Sequence, residues 1–131
     1  MKQLFCIFLL VWFSSLTGCA SSAAKIIPVE QVGKYVEAKT PNVAMLDVNP
    51  DDVRASKGVV PGAIKLSSYD KYALTELPSD KSTQLIFYCY NTFCLASDEA
   101  ADRAIKAGYT NVGRMRAGIT GWQDYVVAKN K

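Results

Sequence analysis

Residues 84–101 read QLIFYCYNTFCLASDEAA, and this stretch decides the fold prediction. Its first six residues are rich in β-forming side chains and are bounded by polar turns, which predicts a strand that ends at Cys89. An apolar helical face follows, and Ser97 is the predicted N-cap of that helix. The alanines and the isoleucine of this face are Ala100, Ala101, Ala104, Ile105 and Ala107. The stretch therefore predicts a buried strand that leads through a short loop into a helix.

Strand and helix signals alternate along the rest of the chain. Further strands are predicted over residues 43–48, 63–66 and 111–115. Further helices are predicted from Pro28, from the turn at residues 49–52 to near Gly58, over residues 69–77 and over residues 119–128. Regular alternation of this kind is typical of a parallel sheet between helices. We therefore predict an α/β domain whose central parallel sheet is covered by helices on both faces.

Reactive and polar side chains follow three of the predicted strands. In an open parallel sheet, ligands bind beyond the carboxyl ends of the strands. Asp47, Cys89 and Arg116 all stand at such ends, so the three are predicted to share one rim. A loop between strand and helix can turn its backbone N–H groups toward one point. We therefore expect main-chain donors to hold Cys89 as a thiolate or a persulfide without any histidine.

The N-terminus has the pattern of an export signal. Lys2 precedes a ten-residue apolar stretch, which is too short to span a bilayer, and residues 16–19 read LTGC. This end resembles the bacterial lipobox, which implies a signal peptide over residues 1–18 and acylation of Cys19. An ordinary secreted protein is the alternative. Residues 19–26 are then a tether and residues 27–131 the domain, lipid-anchored in the cell envelope on the extracytoplasmic side. Ala20 favours the outer membrane if the cell is Gram-negative.

Composition narrows the classes of partner. The formal charge is only +3, and acidic and basic residues are mixed along the chain, so no basic stripe indicates nucleic acid binding. The chain has no histidine, and loss of Cys6 with acylation of Cys19 leaves only Cys89 and Cys94 as thiols. Two cysteines make a poor zinc site. We expect a monomer with neither metal nor cofactor.

Five short segments, in this order, resemble single-domain rhodaneses, which are sulfurtransferases with a persulfide on a loop cysteine. They are LDV at 46–48, GVVPGA at 58–63, FYC at 87–89, GYTNV at 108–112 and AGITGW at 117–122. The resemblance covers residues 28–128. It implies an enzyme that moves sulfane sulfur through Cys89, from thiosulfate or a polysulfide to a thiol or to cyanide. Together with the lipobox-like N-terminus, this predicts a membrane-anchored sulfurtransferase.

The sequence also departs from the usual rhodanese pattern. The helix motif after Cys89 begins two residues late, so the loop is predicted to be two residues longer, and the family's loop arginines are missing. Asn49 stands where the family often has arginine, and Val59 replaces a histidine. Thiosulfate, a dianion, should therefore meet less positive charge, unless Arg116 supplies it. Leu95 replaces the arginine that related phosphatases need, which disfavours phosphatase activity.

The loop supplies the remaining candidate site residues. Substrate-binding roles are predicted for Tyr90, Asn91, Thr92 and Phe93, in addition to Arg116 and Asp47. Asp47 either orders the rim or only caps the next turn. Cys94 is the candidate second catalytic residue: it resolves a Cys89 persulfide, guards Cys89 against over-oxidation, or forms a permanent disulfide. A binding module without activity and a dithiol redox carrier are the two alternative functions.

Overall fold

Five strands and four α-helices alternate along residues 23–131, the part of the chain that the computed structural model describes. A single 3-10 turn, Leu74–Glu76, lies between the third and fourth strands. The strands are β1 (Lys25–Ile26), β2 (Val43–Asp47), β3 (Ile64–Lys65), β4 (Gln84–Tyr88) and β5 (Val112–Arg114). The helices are α1 (Val29–Ala38), α2 (Asp51–Lys57), α3 (Ala96–Lys106) and α4 (Gly118–Lys129).

The strands form one parallel sheet in the order β1-β5-β4-β2-β3. The register places Asp47 beside Tyr88 and Phe87 beside Arg114, so the carboxyl ends of the three central strands lie side by side. The strand order and the parallel pairing therefore bring the segments after β2, β4 and β5 together. The predicted parallel sheet is confirmed.

The core has two layers, one on each face of the sheet. Alternating strand side chains such as Leu46 and Phe87 pack with Ala100 of α3, while their neighbours Met45 and Ile86 pack against α1, α2 and α4. Successive side chains of a strand point to opposite faces, which is why almost every residue of β4 is apolar and buried. The predicted coverage by helices on both faces is confirmed.

The helix predicted over residues 69–77 is wrong, because this segment folds as turns around the short 3-10 turn. The Ser68 hydroxyl accepts hydrogen bonds from the N–H groups of Asp70 and Lys71, which offers the backbone an alternative to helical bonding. The Tyr72 side chain is fully buried, and its hydroxyl donates to the Ala100 carbonyl at 2.8 Å. Tertiary packing of Tyr72 therefore overrides the helix predicted for this segment.

Strand β1 was not predicted from the sequence. Lys25–Ile26 pair with β5, and the Ile27 N–H donates to the Arg114 carbonyl at 2.8 Å. These two residues therefore belong to the sheet rather than to the predicted tether. The predicted signal peptide and Cys19 lie outside the described residues. Within residues 23–131, none of the helices is long and apolar enough to cross a membrane.

Candidate active site around Cys89

Cys89 directly follows β4 and lies at the carboxyl edge of the sheet. Its main-chain carbonyl accepts a hydrogen bond from the Ile119 N–H at 2.9 Å, which ties the strand end to α4. Only 2% of the residue is exposed. The fold therefore positions the thiol firmly on the predicted rim but allows it little contact with water.

The loop after Cys89 folds back on itself. The Asn91 side chain accepts from the Phe93 N–H at 3.0 Å, and the Asn91 carbonyl accepts from the Cys94 N–H at 3.2 Å. This turn leaves Phe93 88% exposed at the loop tip. It also directs the Cys94 carbonyl toward Cys89, whose thiol donates to it with an Sγ–O distance of 3.2 Å.

Ser97 is not the N-cap that the sequence predicts. Helix α3 begins at Ala96, and the N–H groups of Asp98 and Glu99 both donate to the Leu95 carbonyl. Ser97 therefore lies inside the first turn, where it is buried and has its hydroxyl 3.6 Å from the Cys89 sulfur. The early helix start turns a predicted capping residue into a neighbour of the thiol.

The Cys89 thiol is neutral at neutral pH. Burial raises the pKa of Cys89 to about 11, and a hydrogen bond with the Cys94 side chain acts in the same direction. The hydroxyl and the N–H of Ser97 oppose this shift but do not outweigh it. Burial thus opposes the expected thiolate, and the folded-back loop turns the Cys94 carbonyl, rather than a set of converging amides, toward the sulfur. Both cysteines are free thiols.

A pocket of about 760 Å³ opens beside Cys89, which is within the range of small-molecule sites. Loops at the carboxyl ends of β2, β3 and β4 form its walls, together with α2. Its lining residues include Cys89, Tyr90, Cys94, Asn49, Arg54, Ser67, Ser68 and four apolar side chains, Val48, Val53, Leu66 and Tyr69. A second cavity, of about 500 Å³, lies over α3, and Cys89 is not among its lining residues.

Asp47 lies behind the pocket wall and orders the rim. The side chain is fully buried, and it accepts hydrogen bonds from the Asn49 N–H at 2.7 Å and the Tyr88 hydroxyl at 2.8 Å. Arg54 is 3.6 Å away and donates to the carbonyls of Asp47 and Leu66. Arg54 therefore joins β2, β3 and α2, a role that the sequence analysis missed. In the sequence, only the i, i+3 spacing of Asp51 and Arg54 indicated that Arg54 forms an ion pair.

The structure separates the predicted site residues into two groups. Cys89, Cys94 and Tyr90 line the pocket together. Asn91 shapes the loop, and Thr92, Phe93 and Arg116 are not pocket-lining residues. Arg116 is exposed. Among residues 23–131, no three His, Cys, Asp or Glu side chains are placed to hold a metal ion.

Gly118 lets α4 approach the start of the cysteine loop. The residue has a φ of 66°, and a Cβ at this position would lie 2.6 Å from the Tyr90 carbonyl. Close to this point, the Thr120 N–H donates to the same carbonyl at 3.1 Å. A side chain at residue 118 would therefore push the loop and the helix apart.

Gly118→Ala is expected to lower the free energy of unfolding by about 2–4 kcal/mol, because positive φ and overpacking both penalise it. Gly62→Ala is the matched control: Gly62 has a φ of 79°, but a Cβ there would meet nothing within 4 Å. It should cost only about 1 kcal/mol. Urea unfolding of both variants measures the difference, and equal losses would contradict the proposed close approach.

A family model described as a rhodanese-like domain matches residues 30–125. A search of curated proteins found no match.

Solved structures with the same fold include the single-domain sulfurtransferase RDL2 of Saccharomyces cerevisiae, which is 24% identical with a TM-score of 0.62. That match covers 86% of this chain and 98% of the yeast chain. Human single-domain sulfurtransferase TSTD1 is 16% identical with a TM-score of 0.60, covering 77% of this chain and 96% of the human chain.

A Rhodopseudomonas palustris protein of unknown function, described as a possible tyrosine phosphatase, is 18% identical with a TM-score of 0.66. That match covers 80% of this chain and 83% of the Rhodopseudomonas palustris chain. At these identities the neighbours establish the shared fold.

Proposed function

The chain belongs to the rhodanese-like domain family, and on this premise we propose that it is a sulfurtransferase that carries sulfane sulfur as a persulfide on Cys89. The observation that carries the proposal is the position of the Cys89 thiol. It lies at the end of the central strand and at the wall of a pocket large enough for a small sulfur donor. Sites of parallel sheets lie at this edge.

The first step requires Cys89 to lose its proton to water. The resulting thiolate attacks the terminal sulfur of a polysulfide, forms the new S–S bond of the persulfide and breaks the old one. The shortened polysulfide leaves with the bonding electron pair. Because the two hydrogen bonds of Ser97 lower the pKa of Cys89, they favour the ionised sulfur, and we assign Ser97 the role of positioning it.

The second step passes the outer sulfur to an acceptor. A small thiolate or cyanide attacks this sulfur and leaves the Cys89 thiolate behind. Cys94 offers another route, because its thiol neighbours Cys89 and also lines the pocket. Its attack on the inner sulfur would release hydrosulfide and form a Cys89–Cys94 disulfide, which an external thiol reductant must then reopen.

We further propose that the domain acts as a monomer on the extracytoplasmic side of a membrane, anchored through Cys19. The direction of the strands is compatible with this arrangement. The chain enters β1 at the amino edge of the sheet, whereas Cys89 lies at the carboxyl edge. An N-terminal anchor would therefore leave the pocket facing away from the lipid.

A binding module without activity is the second candidate function. It is favoured by the low exposure of Cys89 and by the raised pKa of its thiol, since a neutral buried thiol is a poor nucleophile. A dithiol carrier that uses Cys89 and Cys94 is the third. The three candidates predict different masses for the protein after exposure to a sulfur donor.

Intact mass spectrometry after incubation with sodium tetrasulfide distinguishes these functions. The sulfurtransferase should gain one sulfur atom, located on Cys89 by peptide mapping, and lose it on addition of cyanide. Cys94→Ser should keep the gain, and Cys89→Ser should abolish it. An unchanged mass would favour the binding module. Loss of two hydrogens without added sulfur in the wild type, together with no sulfur gain in Cys94→Ser, would favour the dithiol carrier.

A further inference from the structure

Asn49 brings an unpaired hydrogen-bond donor to the pocket wall. The residue lines the pocket beside Cys89 and is only 3% exposed, yet its Nδ2 has no hydrogen-bond partner. Its main chain is fixed by the bond from its N–H to the Asp47 carboxylate. A buried amide nitrogen without a hydrogen-bond partner costs free energy. A ligand acceptor that bonds to it therefore contributes more to binding than one that bonds to a solvated amide.

The charged residues of the pocket wall are already paired. Asp51 and Arg54 are the charged side chains that line it, and the guanidinium of Arg54 donates to Asp51 at 3.0 Å. The same guanidinium also bonds two backbone carbonyls, and its Nε, which makes no hydrogen bond, forms an ion pair with buried Asp47 at 3.6 Å. The wall therefore offers no unpaired cation, and a dianion that enters it must lose hydration without an opposite charge in return.

Apolar side chains form much of the remaining wall. Leu66 is buried in the core, and Tyr69 is exposed at the rim. Such a surface favours a donor that has a hydrocarbon group of its own, because contact removes apolar area from water. The apolar side chains concerned are Val48, Val53, Leu66 and Tyr69.

We propose that Asn49 is a specificity-determining residue, and that the pocket selects organic sulfane donors with one negative charge, an apolar group and an acceptor oxygen near the transferred sulfur. This inference rests on the proposed sulfurtransferase function. Thiosulfonates, R–SO₂–S⁻, have this chemistry, and thiosulfate lacks the apolar group and carries a second charge. The carboxamide torsion is broad and roughly twofold, and the proposal requires the NH₂, which is buried in the unliganded protein, to rotate toward a sulfonyl oxygen in the pocket.

The transfer from such a donor is balanced. The Cys89 thiolate attacks the sulfane sulfur, an S–S bond forms on Cys89, and the bond from sulfane sulfur to sulfonyl sulfur breaks. The sulfinate R–SO₂⁻ leaves with the electron pair, so two negative charges enter and two remain. Asn49 donates to an oxygen of the sulfinate while charge shifts onto that group, which is where a hydrogen bond assists most.

The test measures single-turnover sulfur uptake by Cys89 with benzenethiosulfonate, methanethiosulfonate, thiosulfate and tetrasulfide. We expect uptake to be fastest with the aromatic thiosulfonate and at least about tenfold slower with thiosulfate. Asn49→Leu keeps the number and branching of the heavy side-chain atoms but has no donor, and it should slow both thiosulfonates about tenfold, a change of about 1.4 kcal/mol. Tetrasulfide, which has no oxygen, should react equally well with both proteins.

Asn49→Asp is the second variant. It keeps the shape of the asparagine side chain, so it can be tested even if Asn49→Leu disturbs the fold. It should slow the thiosulfonates more than Asn49→Leu does, because it adds a negative charge. Two results overturn the inference while the proposed function stands: thiosulfate used by the wild type as fast as benzenethiosulfonate, or tetrasulfide uptake slowed in Asn49→Leu as much as thiosulfonate uptake. If no donor places sulfur on Cys89, the proposed function fails first, and this inference with it.

Discussion

Sulfur uptake by Cys89 is expected to become about tenfold faster with each pH unit between pH 7 and pH 10. The thiolate is the reactive form, and burial raises the pKa of Cys89 to about 11. At pH 7, roughly one molecule in ten thousand is therefore ionised. An unperturbed cysteine, with a pKa of about 8.5, would level off above pH 9, so the profile itself reports the buried thiol.

The two neighbouring side chains should move this profile in opposite directions. Cys94→Ala removes a hydrogen bond that raises the pKa of Cys89, so the inflection should shift to lower pH. Ser97→Ala removes a hydrogen bond that lowers it, so the inflection should shift to higher pH. Single-turnover uptake from tetrasulfide, with Cys89→Ser as the blank, gives all three profiles.

A wild-type inflection below pH 9 would contradict this account. It would mean that the sulfur is less buried in solution and that hydrogen-bond donors, as the sequence predicts, hold the thiolate. Opposite shifts in the two variants would show that the balance between Cys94 and Ser97 sets the reactivity. The reaction would then depend on how the loop is folded, not only on the presence of the cysteine.

The elements of the fold were predictable because their signals are local. The apolar runs of β2 and β4, and the small apolar face of α3, each lie within a few consecutive residues. Their alternation also placed the end of β4, and hence Cys89, on the rim of the sheet. Segments without a local signal were missed. Strand β1 has two residues and is held by pairing with β5.

The environment of Cys89 was not predictable, because it depends on contacts between distant segments. Sequence alone gives the loop length but not the direction of the Cys94 carbonyl, which the turn at Asn91 sets. The unpaired nitrogen of Asn49 is likewise a property of the packed wall. A local pattern can therefore predict where a nucleophile stands, whereas the pKa of that nucleophile follows from the folded surroundings.

Replacing Asp47 with alanine is expected to lower the free energy of unfolding by about 3–5 kcal/mol. The carboxylate is fully buried, and its loss leaves Arg54 beside it without that partner and the Tyr88 hydroxyl without its acceptor. An uncompensated buried charge costs far more than a lost surface contact. Against a typical total of about 5–15 kcal/mol, this loss is a large part of the stability of a small domain.

Asp51→Ala is the matched control, because Asp51 pairs with the same guanidinium at 3.0 Å but has a side chain that is 96% exposed. Solvent screens that pair, so the variant should lose less than about 1 kcal/mol. Urea unfolding of the two variants compares the loss of a buried and of an exposed carboxylate beside the same guanidinium. Equal losses would contradict the buried network. If Asp47→Ala is the more destabilised, as expected, the same variant should also slow sulfur uptake from benzenethiosulfonate more than from tetrasulfide, because the Asp47 carboxylate fixes the main chain of Asn49 at the pocket wall.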